Sequence, residues 1–425
     1  MERKLRSFAN KASGILDIVG LESASWKTKQ NSFLTTFRSL CRTALTEDRA
    51  IITPWQVAGK IDYEKLIEQF GTEPITEELL ERFKHMTGEL HLQLRRRIFF
   101  SHRDLNWILD VHERGERFVL YTGRGPSGPT TIGHMVPWIF TKYLQDRFDT
   151  KLYFQLTDDE KSLWPPPGMS LDETKFWTRE NALDIIATGF KKGKTLLLAD
   201  TLCAKTLYGL AVEVAKHVTY STVKAIFGFE DSANIGIIFF PAMQAVPAFL
   251  ESRLVGKNVP CLIPAAIDQD PYWRMTRDIA PKLGFFKPAQ IHSKFLPGLL
   301  AGGKMSASVP ESAIFTTDGE KAARRKIMNA FTGGRATVEE QRKLGGDPEA
   351  CPIFQYEYFL FEPEDSKVED VRQRCLKGEL LCGEHKEMLA CKVVDFLRSH
   401  QERREKAKEM LEEFMVTDEY FGKKP

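Results

Sequence analysis

Phe118-Val-Leu-Tyr121-Thr-Gly123-Arg124-Gly125-Pro-Ser-Gly128-Pro-Thr-Thr131-Ile132-Gly133-His134 is the stretch on which the fold turns. Its first four residues form a short apolar run of the kind that fills a buried strand. A loop rich in glycine and proline follows. Apolar residues then recur at Ile132, Met135, Val136, Ile139, Phe140, Tyr143 and Leu144, the period of a helix running from about Gly133 to Arg147. Outward from this unit the alternation repeats. Leu152–Leu156 reads as a strand, Asp172–Phe190 as a helix and Thr195–Asp200 as a strand, while Asn234–Phe240 and Val259–Asp268 read as further buried strands followed by helical segments. Strands alternating with helices of this length predict an α/β fold with a parallel sheet.

Two loops carry phosphate signals. Gly123, Gly125 and Gly128 match the dinucleotide fingerprint G-x-G-x-x-G, but the helix does not open at Gly128, and no acid stands about twenty residues on at a strand end. Thr131-Ile132-Gly133-His134 is more informative. His134 lies off the apolar stripe, in the first helical turn, where unpaired N–H groups and the helix dipole favour an anion. Gly133 admits a flat base. Taken alone, His134 reads more readily as a surface histidine, and its place at the helix start is what favours the anion. Gly298-Leu-Leu-Ala-Gly-Gly303-Lys304 has P-loop spacing, yet Met305 stands where a magnesium-binding hydroxyl belongs. What remains is Lys304-Met305-Ser306-Ala307-Ser308, either a cation on a loop of small residues or a plain surface turn.

Composition sets the limits. The chain has 425 residues, 42% hydrophobic and 28% charged, enough for a sizeable core and unlike a disordered chain. Sixty Lys and Arg against 58 Asp and Glu give a net charge of +2, which excludes a wholesale basic polymer-binder and leaves local patches open. No apolar run reaches about eighteen residues, so no membrane-spanning helix is expected. Seven cysteines without a C-x-x-C pair argue against a zinc ribbon or a disulfide framework and predict a reducing, cytoplasmic setting. Residues 1–50 read as a helical N-terminal extension, 51–310 as the sheet domain and 311–425 as a charge-rich helical domain. In the last of these the run Phe354–Phe361 is ambiguous between helix and strand, and no strand pattern is otherwise evident.

Together, Thr131-Ile132-Gly133-His134 and Lys304-Met305-Ser306-Ala307-Ser308 resemble the HIGH and KMSKS signatures of class I aminoacyl-tRNA synthetases. The segments Leu120-Tyr121-Thr-Gly-Arg124, Gln155-Leu-Thr-Asp158-Asp159-Glu160, Phe240-Pro-Ala-Met-Gln244 and Ile267-Asp268-Gln269-Asp270 narrow this, because they resemble tryptophanyl-tRNA synthetases of the eukaryotic and archaeal type. The resemblance runs from about Ile52 to near Val416. Thr131 departs from the first histidine of HIGH, and Ala307 from the second lysine of KMSKS.

The resemblance implies a Rossmann-like, nucleotide-binding catalytic domain and an all-α anticodon-binding domain at the C-terminus. It implies ATP-dependent ligation of L-tryptophan to tRNA(Trp) through tryptophanyl-adenylate, with release of AMP and diphosphate. His134, Lys304, Ser306 and Thr131 are the implied catalytic residues. Arg124, Gly133, His134, Asp268, Lys304, Met305 and Ser306 are implied for ATP. Tyr121 and Gln155 would accept from the indole nitrogen, and Glu160, Gln244 and Gln269 would take the ammonium group. Magnesium would accompany ATP, with no zinc and no dedicated protein metal site, and the family implies a homodimer without membrane attachment. Tyr121 reads equally as a core aromatic, and Asp158, Asp159 and Glu160 as acids of a helix start, at least one of them that alone. Arg95, Arg96, Arg97, Lys321, Arg324, Arg325 and Lys326 are candidate tRNA contacts or simply solvated helix faces. Rival functions are tyrosine ligation by the same fold, a non-catalytic tRNA- or protein-binding relative, and a small nucleotidyltransferase, which would leave the helical C-terminal region without a task.

Overall fold

The structure is a computed structural model and describes residues 51–52, 57–58, 62–164, 168–301, 303, 305 and 309–422. The expected N-terminal extension, Lys304 and Ser306 lie outside these residues. The framework is an eight-stranded sheet. Its strands in chain order are β1 (Glu73–Pro74), β2 (Phe99–Arg103), β3 (Val119–Arg124), β4 (Leu152–Leu156), β5 (Thr195–Ala199), β6 (Cys261–Ala266), β7 (Ala289–Ser293) and β8 (Met415–Val416). They lie in the order β8-β5-β4-β3-β6-β7-β2-β1. From β8 to β7 every pairing is parallel, and β2 and β1 join antiparallel at the far edge.

Parallel strands need crossovers, and the crossovers cover both faces. Side chains alternate accordingly. Leu120, Leu152, Phe154, Leu197 and Leu262 point into one core, beneath the helices Ile132–Phe148 and Leu171–Ala187. Val119, Tyr121, Tyr153, Leu196, Leu198 and Ile263 point into the other, beneath the helices Ala204–Ala215, Ile235–Ala245 and Asp270–Ile279. No single helix among the described residues is long and apolar enough to cross a membrane.

Two sequence readings are corrected and one ambiguity is resolved. Asn234–Phe240 is not a strand: Asn234 caps the helix Ile235–Ala245, its side chain accepting from Ile237 N at 2.9 Å. A seven-residue apolar run has no period that separates a buried strand from a buried helix. Phe354–Phe361 is helical, passing from Pro352–Tyr356 into a wider turn at Glu357–Phe361. The C-terminal segment also supplies a strand, since Met415–Val416 pairs in parallel with Leu197–Leu198 at the sheet edge.

Beyond Val309 the chain is otherwise largely helical. A third core gathers Ile327, Phe354, Leu389 and Val393 against Ile132 and Val136, the latter two from the helix that starts at the glycine-rich loop. The 33-residue helix Cys382–Phe414 joins this core to the sheet, contributing Ala407, Leu411 and Phe414 to the sheet core. Where it crosses the helix Leu171–Ala187, the buried Asp184 faces His400 Nε2 at 3.0 Å and Arg404 Nε at 3.2 Å. Removing one member of a buried charged group strands the others. Asp184→Ala is expected to lower the unfolding free energy by about 3 kcal/mol in denaturant titration, whereas loss of the exposed pair Arg179–Glu412 changes it by about 1 kcal/mol or less.

Candidate active site

β3 is the strand at which the order reverses, with β4 on one side and β6 on the other. The chain leaves the C-terminal ends of these strands in opposite directions and opens a crevice. A cavity of about 360 Å³ lies there. Every sequence-predicted site residue that the structure describes lines it: Tyr121, Arg124, Thr131, Gly133, His134, Gln155, Glu160, Gln244, Asp268, Gln269 and Met305. Lys304 and Ser306 are the exceptions, outside the described residues.

The register explains the amino-acid end. Gln155 is paired with Gly123, so no side chain stands opposite it on β3. Tyr121, two residues before Gly123, shares that face of the sheet. Its hydroxyl lies 2.5 Å from Gln155 Oε1 and 2.7 Å from the Gln244 carbonyl oxygen, on the helix Ile235–Ala245. Burial raises the Tyr121 pKa well above its ordinary value, so the phenol stays protonated. Trp273 stands edge-on to Tyr121, with ring centroids 5.1 Å apart. The result is an apolar, aromatic slot with hydrogen-bond acceptors at its end.

Glu160 lies in the helix Asp158–Leu163 that follows β4. It accepts from Thr157 Oγ1 at 3.0 Å and from Lys161 Nζ at 2.9 Å, a carboxylate already receiving an ammonium. Asp158 instead accepts from Thr201 N at 3.0 Å and from its hydroxyl, which ties the turn after β4 to the turn after β5. Asp268 and Gln269 sit in the short turn Ile267–Gln269 directly after β6.

At the other end, Thr131 caps the helix Ile132–Phe148. Its backbone N–H donates to His134 Nδ1 at 3.0 Å, and its hydroxyl oxygen lies 2.9 Å from the same nitrogen. With Nδ1 accepting, the ring proton belongs on Nε2, which makes His134 a donor at that atom. Thr131 thereby sets the imidazole's tautomer and direction. Ile132 N also bonds to Ile314 O at 3.0 Å, and Thr316 N to Thr130 O at 2.9 Å, stitching this loop to the chain that follows the Lys304 segment. A Cβ on Gly133 would lie 3.3 Å from Met305 Sδ, a close contact that glycine avoids where the two signature segments meet.

The cations are poised for an anion. Arg124 Nε is buried without a hydrogen-bond partner, and burial lowers the guanidinium pKa to about 10 despite the opposing charges of Asp184 and Glu160. Lys294, one residue past β7, also lines the cavity, and burial lowers its pKa. The sequence reading missed Lys294, although its place immediately after a strand was the available signal. It also missed Asp200, whose carboxyl accepts from the Gln155 carboxamide nitrogen at 2.8 Å. The basic residues considered for tRNA are largely engaged: Arg95 and Arg96 with Asp365, Arg97 with Glu77, Arg324 with Glu320 and Glu387, Arg325 with Glu311, and Lys326 with Asp318. A lined slot, a fixed imidazole donor and buried cations suit a reaction in which a carboxylate meets a phosphate.

The family model for class I tRNA synthetases (W and Y) matches residues 113–398. The tryptophan–tRNA ligase of Pyrobaculum aerophilum is 52% identical over 371 residues, covering 87% of this chain and 98% of that protein. That of Pyrococcus furiosus is 50% identical over 374 residues, covering 87% and 95%. Among solved structures, Plasmodium falciparum tryptophanyl-tRNA synthetase superimposes with a TM-score of 0.79 at 38% identity, covering 85% of this chain and 99% of that one. The enzyme from Aeropyrum pernix gives 0.77 at 32% identity, covering 84% and 96%. By that identity over nearly the whole length of its relatives, the chain belongs to the tryptophan–tRNA ligases, within the class I tRNA synthetases.

Proposed function

We infer that this chain ligates L-tryptophan to tRNA(Trp) with ATP, through tryptophanyl-adenylate, releasing AMP and diphosphate. The observation that carries the residue-level reading is one cavity holding an acceptor-ended aromatic slot at one end and, at the other, buried cations, among them Arg124 with its Nε unpaired. In the first step a carboxylate oxygen of tryptophan bonds to the α-phosphorus of ATP, and the bond to the pyrophosphate oxygen breaks. In the second, a hydroxyl of the terminal adenosine attacks the activated carbonyl and AMP leaves.

Each residue then has a task. Tyr121 and Gln155 offer acceptors to the indole N–H, and Glu160, Gln244 and Gln269 receive the ammonium group. Asp268 accepts from the ATP ribose hydroxyls. His134 donates Nε2–H to a phosphoryl oxygen, held in that direction by Thr131, while Gly133 and Met305 border the nucleotide. Arg124, Lys304 and Ser306 stabilise charge on the phosphates as the pyrophosphate departs. The cations suit phosphate oxygens, and among the described residues no group of three or more His, Cys, Asp or Glu is placed to hold a metal ion. Magnesium in this reading travels on the ATP phosphates and neutralises their charge.

Residues 311–425 are the anticodon-recognition domain in this reading, and a homodimer is the working assembly. Tyr208 and Val212, on a helix packed against the one that bears Ile235, are exposed apolar residues that a second copy would cover. Ligation of amino acids to tRNA serves translation, and we assign the chain to the cytoplasm on that ground.

Tryptophan-dependent ATP–pyrophosphate exchange tests the assignment. Lys304→Ala is expected to lower kcat about 100- to 1000-fold, and Gln155→Ala to raise the KM for tryptophan about 10- to 100-fold. Full activity in both variants overturns the site, and exchange that needs tyrosine in place of tryptophan overturns the choice of amino acid. Arg124→Ala is expected to lower kcat/KM for ATP about 100-fold, with tryptophan binding in fluorescence titration unchanged. Loss of tryptophan binding instead would move Arg124 to the amino-acid end.

A further inference from the structure

Asp200 closes the apolar strand Thr-Leu-Leu-Leu-Ala of β5 and is almost completely buried. It does not line the cavity. A carboxyl group in such a place is costly unless every polar atom finds a partner. Its partners are specific. The carboxamide nitrogen of Gln155 donates to Oδ1 at 2.8 Å and to Oδ2 at 3.0 Å, and the Asp200 carboxyl is hydrogen-bonded to that of Asp159. Strand pairing enforces this meeting, because Gln155 lies opposite Leu198 and Leu156 opposite Ala199, which carries the end of β5 to the flank of Gln155. Asp159 itself is fixed by the N–H of Glu160 at 2.7 Å.

Burial raises both carboxyl pKa values, Asp159 to about 6 and Asp200 well above the carboxylate range, with the Asp159 charge adding to the rise at Asp200. At neutral pH the pair therefore holds one proton, on Asp200. That proton goes to Asp159, leaving the other Asp200 oxygen as an acceptor. A carboxamide has one donor end and one acceptor end. With nitrogen committed to Asp200, Gln155 presents Oε1 to Tyr121 and the cavity. The Tyr121 hydroxyl has a single proton and two acceptors within reach, Gln155 Oε1 and the Gln244 carbonyl. When it donates to Gln244, Oε1 is released to accept a ring N–H. A reversed carboxamide would set its NH2 against that N–H, donor against donor.

We propose that Asp200, held by Asp159, is a positioning residue for amino-acid selection: by gripping the carboxamide nitrogen of Gln155 it turns Oε1 toward the cavity, so that the site favours a side chain bringing a ring N–H. The inference rests on the assignment of Gln155 and Tyr121 to the indole. Asp200 acts only through Gln155, and its effect falls on selection more than on the chemical step.

The test compares pyrophosphate exchange with tryptophan and with β-(3-benzothienyl)alanine, in which sulfur replaces the indole N–H. Asp200→Leu removes the acceptor. It is expected to narrow the ratio of kcat/KM values for the two amino acids by about 10- to 100-fold, chiefly through a raised KM for tryptophan. Asp200→Asn offers an amide N–H to Asp159 and an oxygen to Gln155, reproducing the protonated acid, and is expected to keep the ratio within about threefold of wild type. Equal losses with both amino acids in Asp200→Leu indicate a merely structural role and overturn the proposal, as does an unchanged ratio. If Asp200→Leu does not fold, Asp200→Asn decides alone, and a collapsed ratio in that isosteric variant overturns it. Gln155→Ala separates the two inferences. A ratio unmoved by Gln155→Ala removes the indole assignment itself, whereas a ratio lost in Gln155→Ala but kept in Asp200→Leu removes only the role of Asp200.

Discussion

The parallel pairing of β3 with β4 and β6 is the constraint from which the rest of the molecule follows. A strand between two parallel neighbours directs all three chain exits to one edge of the sheet, and right-handed crossovers send the next helices to opposite faces. At β3 those departures diverge, and the crevice between them needs no further device to open it. Tyr121 and Arg124 come from β3 itself, Gln155 from β4, Glu160 from the turn after β4, Asp268 and Gln269 from the turn after β6, and Lys294 from the residue after β7. Each is held by strands buried on both faces.

Electrostatics then specialises the two ends. The net charge of +2 says little about a site, because most of the basic residues considered for nucleic acid are spent in ion pairs at the surface or between helices. Within the cavity, positive charge is gathered at Arg124 and Lys294, where burial disfavours the protonated form and a neighbouring anion would favour it. At the other end the carboxyl pair Asp159–Asp200 organises neutral dipoles. The Thr131–His134 contact belongs to the same scheme, since the backbone N–H of the helix cap decides which imidazole nitrogen carries the proton.

Much of this was legible in the residues. Glycine-rich punctuation after Phe118–Tyr121, helical spacing from Ile132 and apolar runs of strand length identified the unit that nucleates the sheet, because period and turn chemistry are local properties. Where period fails, the reading failed. The run at Asn234–Phe240 is as apolar as a buried strand, and only its packing between neighbouring helices, with Asn234 as cap, makes it helical. Met415–Val416 is too short to carry any period, and it becomes a strand because the long preceding helix delivers it to the open edge beside β5.

For function, the residues by themselves named the signature loops, the resemblance and the candidate side chains, since each of these resides in a contiguous motif. Tertiary structure decided what no motif holds. It set Gly123 opposite Gln155, brought Lys294 to the cavity and placed Asp200 behind the carboxamide that faces Tyr121. Asp200 reads in sequence as an ordinary acid ending an apolar strand, without spacing that ties it to Gln155. Their contact spans 45 residues and exists only because β5 lies beside β4 in register. Local chemistry is written along the chain, whereas the direction of a hydrogen bond depends on which strand becomes its neighbour.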